Sequence, residues 1–197
     1  GGTTGVPKLA RHTVLGQMVQ AYTQALVGNA PADAVTLNGL PMFHVGGAMC
    51  AGLSPFCNGT TVVLLSPMGL RNPNAIRDFF RIAERYRATN LGVVPTIWST
   101  LLNQSIEGID LSAVRFLNTG GAGIPLEVAK AVERKLDRKL IEGYGMTEVH
   151  GFSTMNPLEA RKLGSVGIRV PYCEVIVARL TPEGELDRAC DPEEIGA

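Results

Sequence analysis

The chain has 197 residues, enough for one domain, or most of one, with a sizeable core. A hydrophobic fraction of 45% and a charged fraction of 18% describe a soluble globular protein rather than a disordered or fibrous one. Eighteen basic residues balance eighteen acidic ones, which argues against nucleic acid or an anionic membrane surface as a partner.

The elements follow in chain order. GGTTGVPK, residues 1–8, is a glycine- and threonine-rich loop. Thr13 can cap a helix whose apolar residues Val14, Leu15, Met18, Val19, Tyr22 and Leu26 recur at helical spacing, with Gly28 as its stop. That spacing predicts an inward-facing stripe. Residues 35–40 read as a strand, 48–56 as a short buried helix, and 60–65 (TTVVLL) as a second strand. Asn72 and Pro73 open a helix to about Tyr86. A strand over 89–94 precedes a helix from Pro95 through Leu102, and another over 114–119 precedes a helix from Pro125 to near Asp137. A short strand covers 139–142, and YCEVIVARL (172–180) alternates like a later strand.

Strand and helix alternate at least four times. The expected fold class is α/β, a mostly parallel sheet flanked by helices, with a more antiparallel segment near the C-terminus. Residues 1–170 are expected to form a nucleotide-binding core and 171–197 to begin a following β segment. The apolar stretch 40–65 is broken by Pro41, His44, Pro55 and Asn58, so it reads as core and not as a membrane span. Cys50, Cys57, Cys173 and Cys190 form no CxxC pair and have no histidine at metal-ligand spacing. Reduced thiols in a cytoplasmic protein are the expectation.

Three glycine-rich segments fall at predicted strand ends: PMFHVGG (41–47), NTGGAG (118–123) and EGYGMTE (142–148). Ligands of parallel sheets bind outside such ends, so one crevice is expected. The opening loop offers backbone N–H groups, hydroxyls and the Lys8 charge to phosphate oxygens, but does not match GxxxxGK[ST]. Thr147 and Glu148 set a hydroxyl beside a carboxylate, hard oxygen ligands suited to a phosphate and its Mg²⁺. Tyr144 can offer its ring face to a planar base.

Together, GGTTGVPK, PMFHVGG, NTGGAGIP, EGYGMTE and GSVGIRVPYCEVIV resemble, in order and approximate spacing, the motifs of the adenylate-forming superfamily. The resemblance covers residues 1–177 and favours its acyl-CoA synthetase branch, or AMP-dependent synthetases and ligases. It implies ATP, Mg²⁺ and coenzyme A as cofactors and a small-molecule carboxylic acid as substrate, activated as an acyl-adenylate and passed to a thiol. By resemblance, Gly2, Thr3, Thr4, Gly5 and Lys8 hold the β- and γ-phosphates, Thr147 meets the α-phosphate and Glu148 ligates Mg²⁺. Gly121, Ala122, Gly143 and Tyr144 frame adenine, and Glu142 accepts from its amino group. His44 stands where acid and nucleotide meet. Gly120, Gly121 and His150 belong to the acid pocket, whereas Trp98 either walls that pocket or fills the core.

The sequence departs from the family pattern at Gly1, where a serine is usual, and at Leu9, where a glycine often follows Pro-Lys. The chain is expected to be the middle of a larger enzyme, inactive by itself and prone to self-association through exposed apolar surface. An aryl-CoA ligase and a peptide-synthetase-type adenylation domain are alternatives. Asp33 precedes its strand and is badly placed to hold the amine of a peptide-synthetase substrate. A non-catalytic nucleotide-binding module is an alternative of another class, against which Lys8, Thr147 and Glu148 are all present.

Overall fold

Four leucines set the frame. In a computed structural model that describes residues 8–28 and 31–190, β1 (Val35–Asn38), β3 (Asn90–Gly92), β4 (Phe116–Thr119) and β5 (Leu140–Met146) lie parallel. Their register aligns Leu37, Leu91, Leu117 and Leu140 in one row across the sheet, all fully buried. Each such side chain contributes about 1.5–3 kcal/mol of burial. β2 (Thr61–Leu64) pairs parallel with β1 on its other side. β6 (Gly151–Met155) and β7 (Ile168–Arg169) continue the sheet antiparallel beyond β5, in the order β2-β1-β3-β4-β5-β6-β7. The expected mostly parallel α/β sheet is present, with antiparallel strands toward the C-terminus.

The leucine row is covered by α3 (Pro73–Arg77), α4 (Phe79–Arg85), α5 (Pro95–Leu101) and α6 (Leu126–Leu136). They bring Ala75, Phe79, Phe80, Trp98, Leu101 and Val132 into the same buried cluster. The connections from β2 through β5 all step in one direction across the sheet, whereas β1 to β2 steps the other way. Right-handed crossovers therefore put the β1–β2 connection on the opposite face. That connection is a π-helix, Gly46–Leu53, running into α2 (Ser54–Cys57), and α1 (Val14–Gly28) packs against it. The strand order reverses between β1 and β3, which is where such sheets open a crevice.

Several expectations change. Thr13 does cap α1, its Oγ1 accepting from Gly16 N at 3.0 Å. The apolar stripe of α1 nevertheless points outward: Val14 is 77% and Leu15 74% exposed. Gln20, Ala21, Thr23, Gln24 and Ala25 face the protein, because small and hydrogen-bonded side chains allow close approach to the neighbouring helices. The helix expected from Pro73 to Tyr86 breaks at Asp78 into α3 and α4. The strand expected over 139–142 runs on to Met146, so Gly143 and Tyr144 lie in a strand and not in a loop. Of the stretch 172–180 only β8 (Ala178–Leu180) is a strand, in a two-stranded hairpin with β9 (Leu186–Ala189). No described helix is long and apolar enough to cross a membrane.

Candidate functional site

A cleft of about 610 Å³ opens at the reversal point of the sheet. Its first wall follows β1. Asn38, buried at the strand end, donates to Gly47 O at 2.9 Å and accepts from Leu40 N at 3.1 Å. These two bonds fold residues 39–47 back over the strand. Gly47 is obligatory there, since a Cβ would stand 2.3 Å from Pro41 O. His44 heads this loop. Its Nδ1 accepts from Gly46 N at 3.0 Å, which leaves Nε2 as the protonated nitrogen of the neutral ring. Beside it, Arg71 stacks its guanidinium 5.5 Å from the centre of the Phe43 ring.

The floor is polar. Thr36, Asn90, Asn118 and Thr119 line it, with Asn118 Nδ2 donating to Asn90 Oδ1 at 3.2 Å and Thr119 Oγ1 to Val93 O at 2.9 Å. Gly92 makes room for the Asn118 amide, which a Cβ would meet at 1.9 Å. Gly120 and Gly121, the latter at φ 83°, carry the chain out of β4 along the cleft.

The far wall hangs from β5. Residues 140–142 pair with β4, and the strand then overruns it, pairing with β6 through a bulge at Tyr144/Gly145. A 3-10 turn, Thr147–Val149, caps this two-stranded ribbon and closes through His150 N to Thr147 O at 3.0 Å. Thr147 and Glu148 both face the cleft.

The cleft thus brings together His44, Gly120, Gly121, Thr147 and Glu148 from three separate strand ends. Other expected residues stand elsewhere. Trp98 is 1% exposed and donates its indole N–H to Asn118 O at 3.1 Å, so it fills the core and Thr96 and Ile97 form the wall instead. His150 turns away from the cleft, its ring 4.0 Å from that of His12. Burial, then the neighbouring His12, holds the His150 imidazole below its ordinary pKa, so it stays neutral near pH 7. Glu142 is 8% exposed and accepts from Ile124 N at 3.2 Å, bracing the NTGGAG loop from behind. Ala122 and Tyr144 are exposed and Gly143 is buried against Phe152, all outside the cleft lining. Lys8 is exposed, and Gly2, Thr3, Thr4 and Gly5 lie outside the described residues. Asn38, Phe43, Arg71 and Asn118 shape the cleft without having been expected to, and Cys50, expected only as a reduced thiol, lines it too. Phe43 and Asn118 sit inside quoted motifs, whereas Asn38 and Arg71 carry no local signal.

Comparison with known proteins agrees with this architecture. A family described as AMP-binding enzyme matches residues 1–189. A marinolic acid–CoA ligase from Pseudoalteromonas sp. is 35% identical over 100% of this chain and 31% of its own length. A sulfoacetate–CoA ligase from Cupriavidus necator is 33% identical over 84% of this chain and 32% of its own. The chain therefore spans about a third of the curated relatives that it matches. O-succinylbenzoate coenzyme A synthetase from Bacillus subtilis, solved with ATP and magnesium ion, superposes with a TM-score of 0.77 at 26% identity. That match covers 97% of this chain and 37% of the other. The N-terminal domain of FACL13 from Mycobacterium tuberculosis gives a TM-score of 0.79 at 26% identity, over 94% of this chain and 45% of that one. With the five motifs in order, the cleft at the strand reversal and this family match, the chain belongs to the AMP-binding enzyme family.

Proposed function

We propose that this chain supplies the acid-activating centre of an ATP-dependent carboxylic acid–CoA ligase. One observation carries the reading: His44, Thr147 and Glu148 meet in a single cleft although they come from strand ends about a hundred residues apart in sequence. In the first step a substrate carboxylate oxygen attacks the α-phosphorus of ATP, and the bond to pyrophosphate breaks. In the second, a CoA thiol attacks the acyl carbon and AMP leaves.

The chain's own groups divide the work. Thr147 donates its hydroxyl to the α-phosphate. His44 donates from Nε2 to the incoming carboxylate, which aligns the nucleophile without placing a full charge beside it. The amides and hydroxyls of Gly2, Thr3, Thr4 and Gly5, with Lys8, take the two phosphates that depart. Gly121, Ala122 and Tyr144, exposed on the loop and strand beside the cleft, frame the adenine, and buried Glu142 holds that loop in place through Ile124 N. Positioning and charge neutralisation supply most of the acceleration in such a transfer.

The donor set fits Mg²⁺. Glu148 and Thr147 present hard oxygens, and among the described residues no cluster of three or more His, Cys, Asp or Glu could cage an ion by itself. An ion shared between one carboxylate and substrate phosphates is how Mg²⁺ is usually bound. When bound it would neutralise charge on the phosphates. The acid itself is a fatty or other carboxylic acid, with an aryl acid as the alternative. Relatives act on marinolic acid, sulfoacetate and long-chain fatty acids.

Glu148→Gln in the full gene product tests this reading. Pyrophosphate exchange should fall about 10²-fold or more, while thioester formation from supplied acyl-adenylate is spared. Equal loss in both half-reactions would overturn the role of Glu148.

A further inference from the structure

His12 lies four residues after Lys8 and just ahead of Thr13, the cap of α1. Its imidazole reaches across 135 residues of sequence to the carbonyl of Thr147, with Nε2 and O 2.6 Å apart. A carbonyl oxygen only accepts, so Nε2 carries the proton and donates. In the neutral ring Nδ1 is then a lone pair, and Gln17 Nε2 stands 3.4 Å from it to donate. One tautomer satisfies both contacts. The ring also lies 4.0 Å from His150, tilted by 38°. Gly16 also stands against His150, where a Cβ would lie 2.8 Å from Nε2. The first turn of α1 therefore clasps the turn that ends β5.

The oxygen held by His12 is the one that closes that turn, since Thr147 O also accepts from His150 N at 3.0 Å. Carbonyl and hydroxyl belong to the same residue, and Glu148 follows it. We propose that His12 is a positioning residue: its Nε2–H fixes the carbonyl of Thr147, and through it the direction in which Thr147 and Glu148 face the nucleotide. This inference rests on the proposed roles of Thr147 and Glu148.

The test compares His12→Ala, His12→Gln and Glu148→Gln in the full gene product. His12→Ala should slow pyrophosphate exchange about 10–100-fold, the scale on which misplacement of a binding group acts. Thioester formation from supplied acyl-adenylate should stay within twofold. Hydrogen exchange at the His150 amide should quicken in the absence of nucleotide. His12→Gln, whose amide N–H can reach the same carbonyl, should restore most of both. A role confined to folding would instead lower both half-reactions together and would not be rescued by glutamine. If His12→Ala fails to fold, Gln17→Leu carries the test, with a several-fold loss confined to pyrophosphate exchange. Unchanged exchange in His12→Ala beside a crippled Glu148→Gln would overturn the inference and leave the site reading intact. A harmless Glu148→Gln would overturn the site reading itself.

Discussion

Gly145→Ala isolates the steric demand of the ribbon that carries Thr147 and Glu148. Gly145 pairs with Phe152 at the bulge between β5 and β6. A Cβ there would stand 1.8 Å from Gly151 O, 2.6 Å from Gly151 C and 2.6 Å from Phe152 Cα, all backbone atoms that no rotamer change can clear. Reaching ordinary contact at 3.4 Å requires the strands to part by about 1.6 Å. Overpacking of this kind costs roughly 1–3 kcal/mol, and each strained ladder hydrogen bond about 1 kcal/mol more. A total near 2–4 kcal/mol lowers Tm by about 5–15 °C in a chain of this size. Gly145 does not have a positive φ, so the penalty is not one of backbone strain. Gly123→Ala is the control, because nothing lies within 4 Å of its added methyl and its φ is not positive. It should stay within about 0.5 kcal/mol of the parent. Thermal unfolding followed by circular dichroism reads both. A Gly145→Ala midpoint within 2 °C of Gly123→Ala would refute the argument.

Trp98→Phe should cost about 1–3 kcal/mol in thermal unfolding, through lost volume and the lost indole bond; Asn118 O keeps its bond from Val93 N. The ratio of kcat/KM between two acids should not move, since Trp98 is core; a changed preference would return it to the pocket wall. Burial pushes the Cys50 thiol up to about 12, so its thiolate fraction at pH 8 is about 10⁻⁴. Iodoacetamide should therefore label exposed Cys57 well before Cys50, as mass spectrometry of a time course would show.

The parallel strands were legible because each falls in a short, largely apolar run near glycine, proline or asparagine, and in β1, β3, β4 and β5 the buried leucine lies within that run. Thr13 and Asn72 were legible as caps for the same local reason: their side chains bond amides two or three residues on. What failed was whatever depends on a distant partner. Gly143 and Gly145 look like turn residues, yet they belong to β5 because β6 approaches too closely for any side chain. The stripe of α1 has helical spacing, and spacing alone does not say which side of a helix meets the protein. GGAMCAGL (46–53) contains nothing that separates a π-helix from an α-helix. Val175 and Val177 alternate as a strand would, but among the described residues the ladder with β9 starts at Ala178, with one further bond from Cys190 N to Val177 O. In the site, His44, Thr147 and Glu148 stood out because their motifs are local. His12 did not, because the carbonyl it holds lies 135 residues away.

The four residues of β5 beyond its pairing with β4, 143–146, act as a fixed reach. At 3.3 Å per residue they carry the next turn about 13 Å past the sheet edge. Length here is therefore part of the chemistry. Inserting one residue would reverse the faces of everything beyond it; inserting two would restore the faces but overshoot by about 6.6 Å, more than a hydrogen bond can bridge. The exposed tip at Glu107 and Gly108, in the connection from α5 to β4, has no such limit. Changes in length between related chains should collect there and spare the span from Leu140 to Thr147.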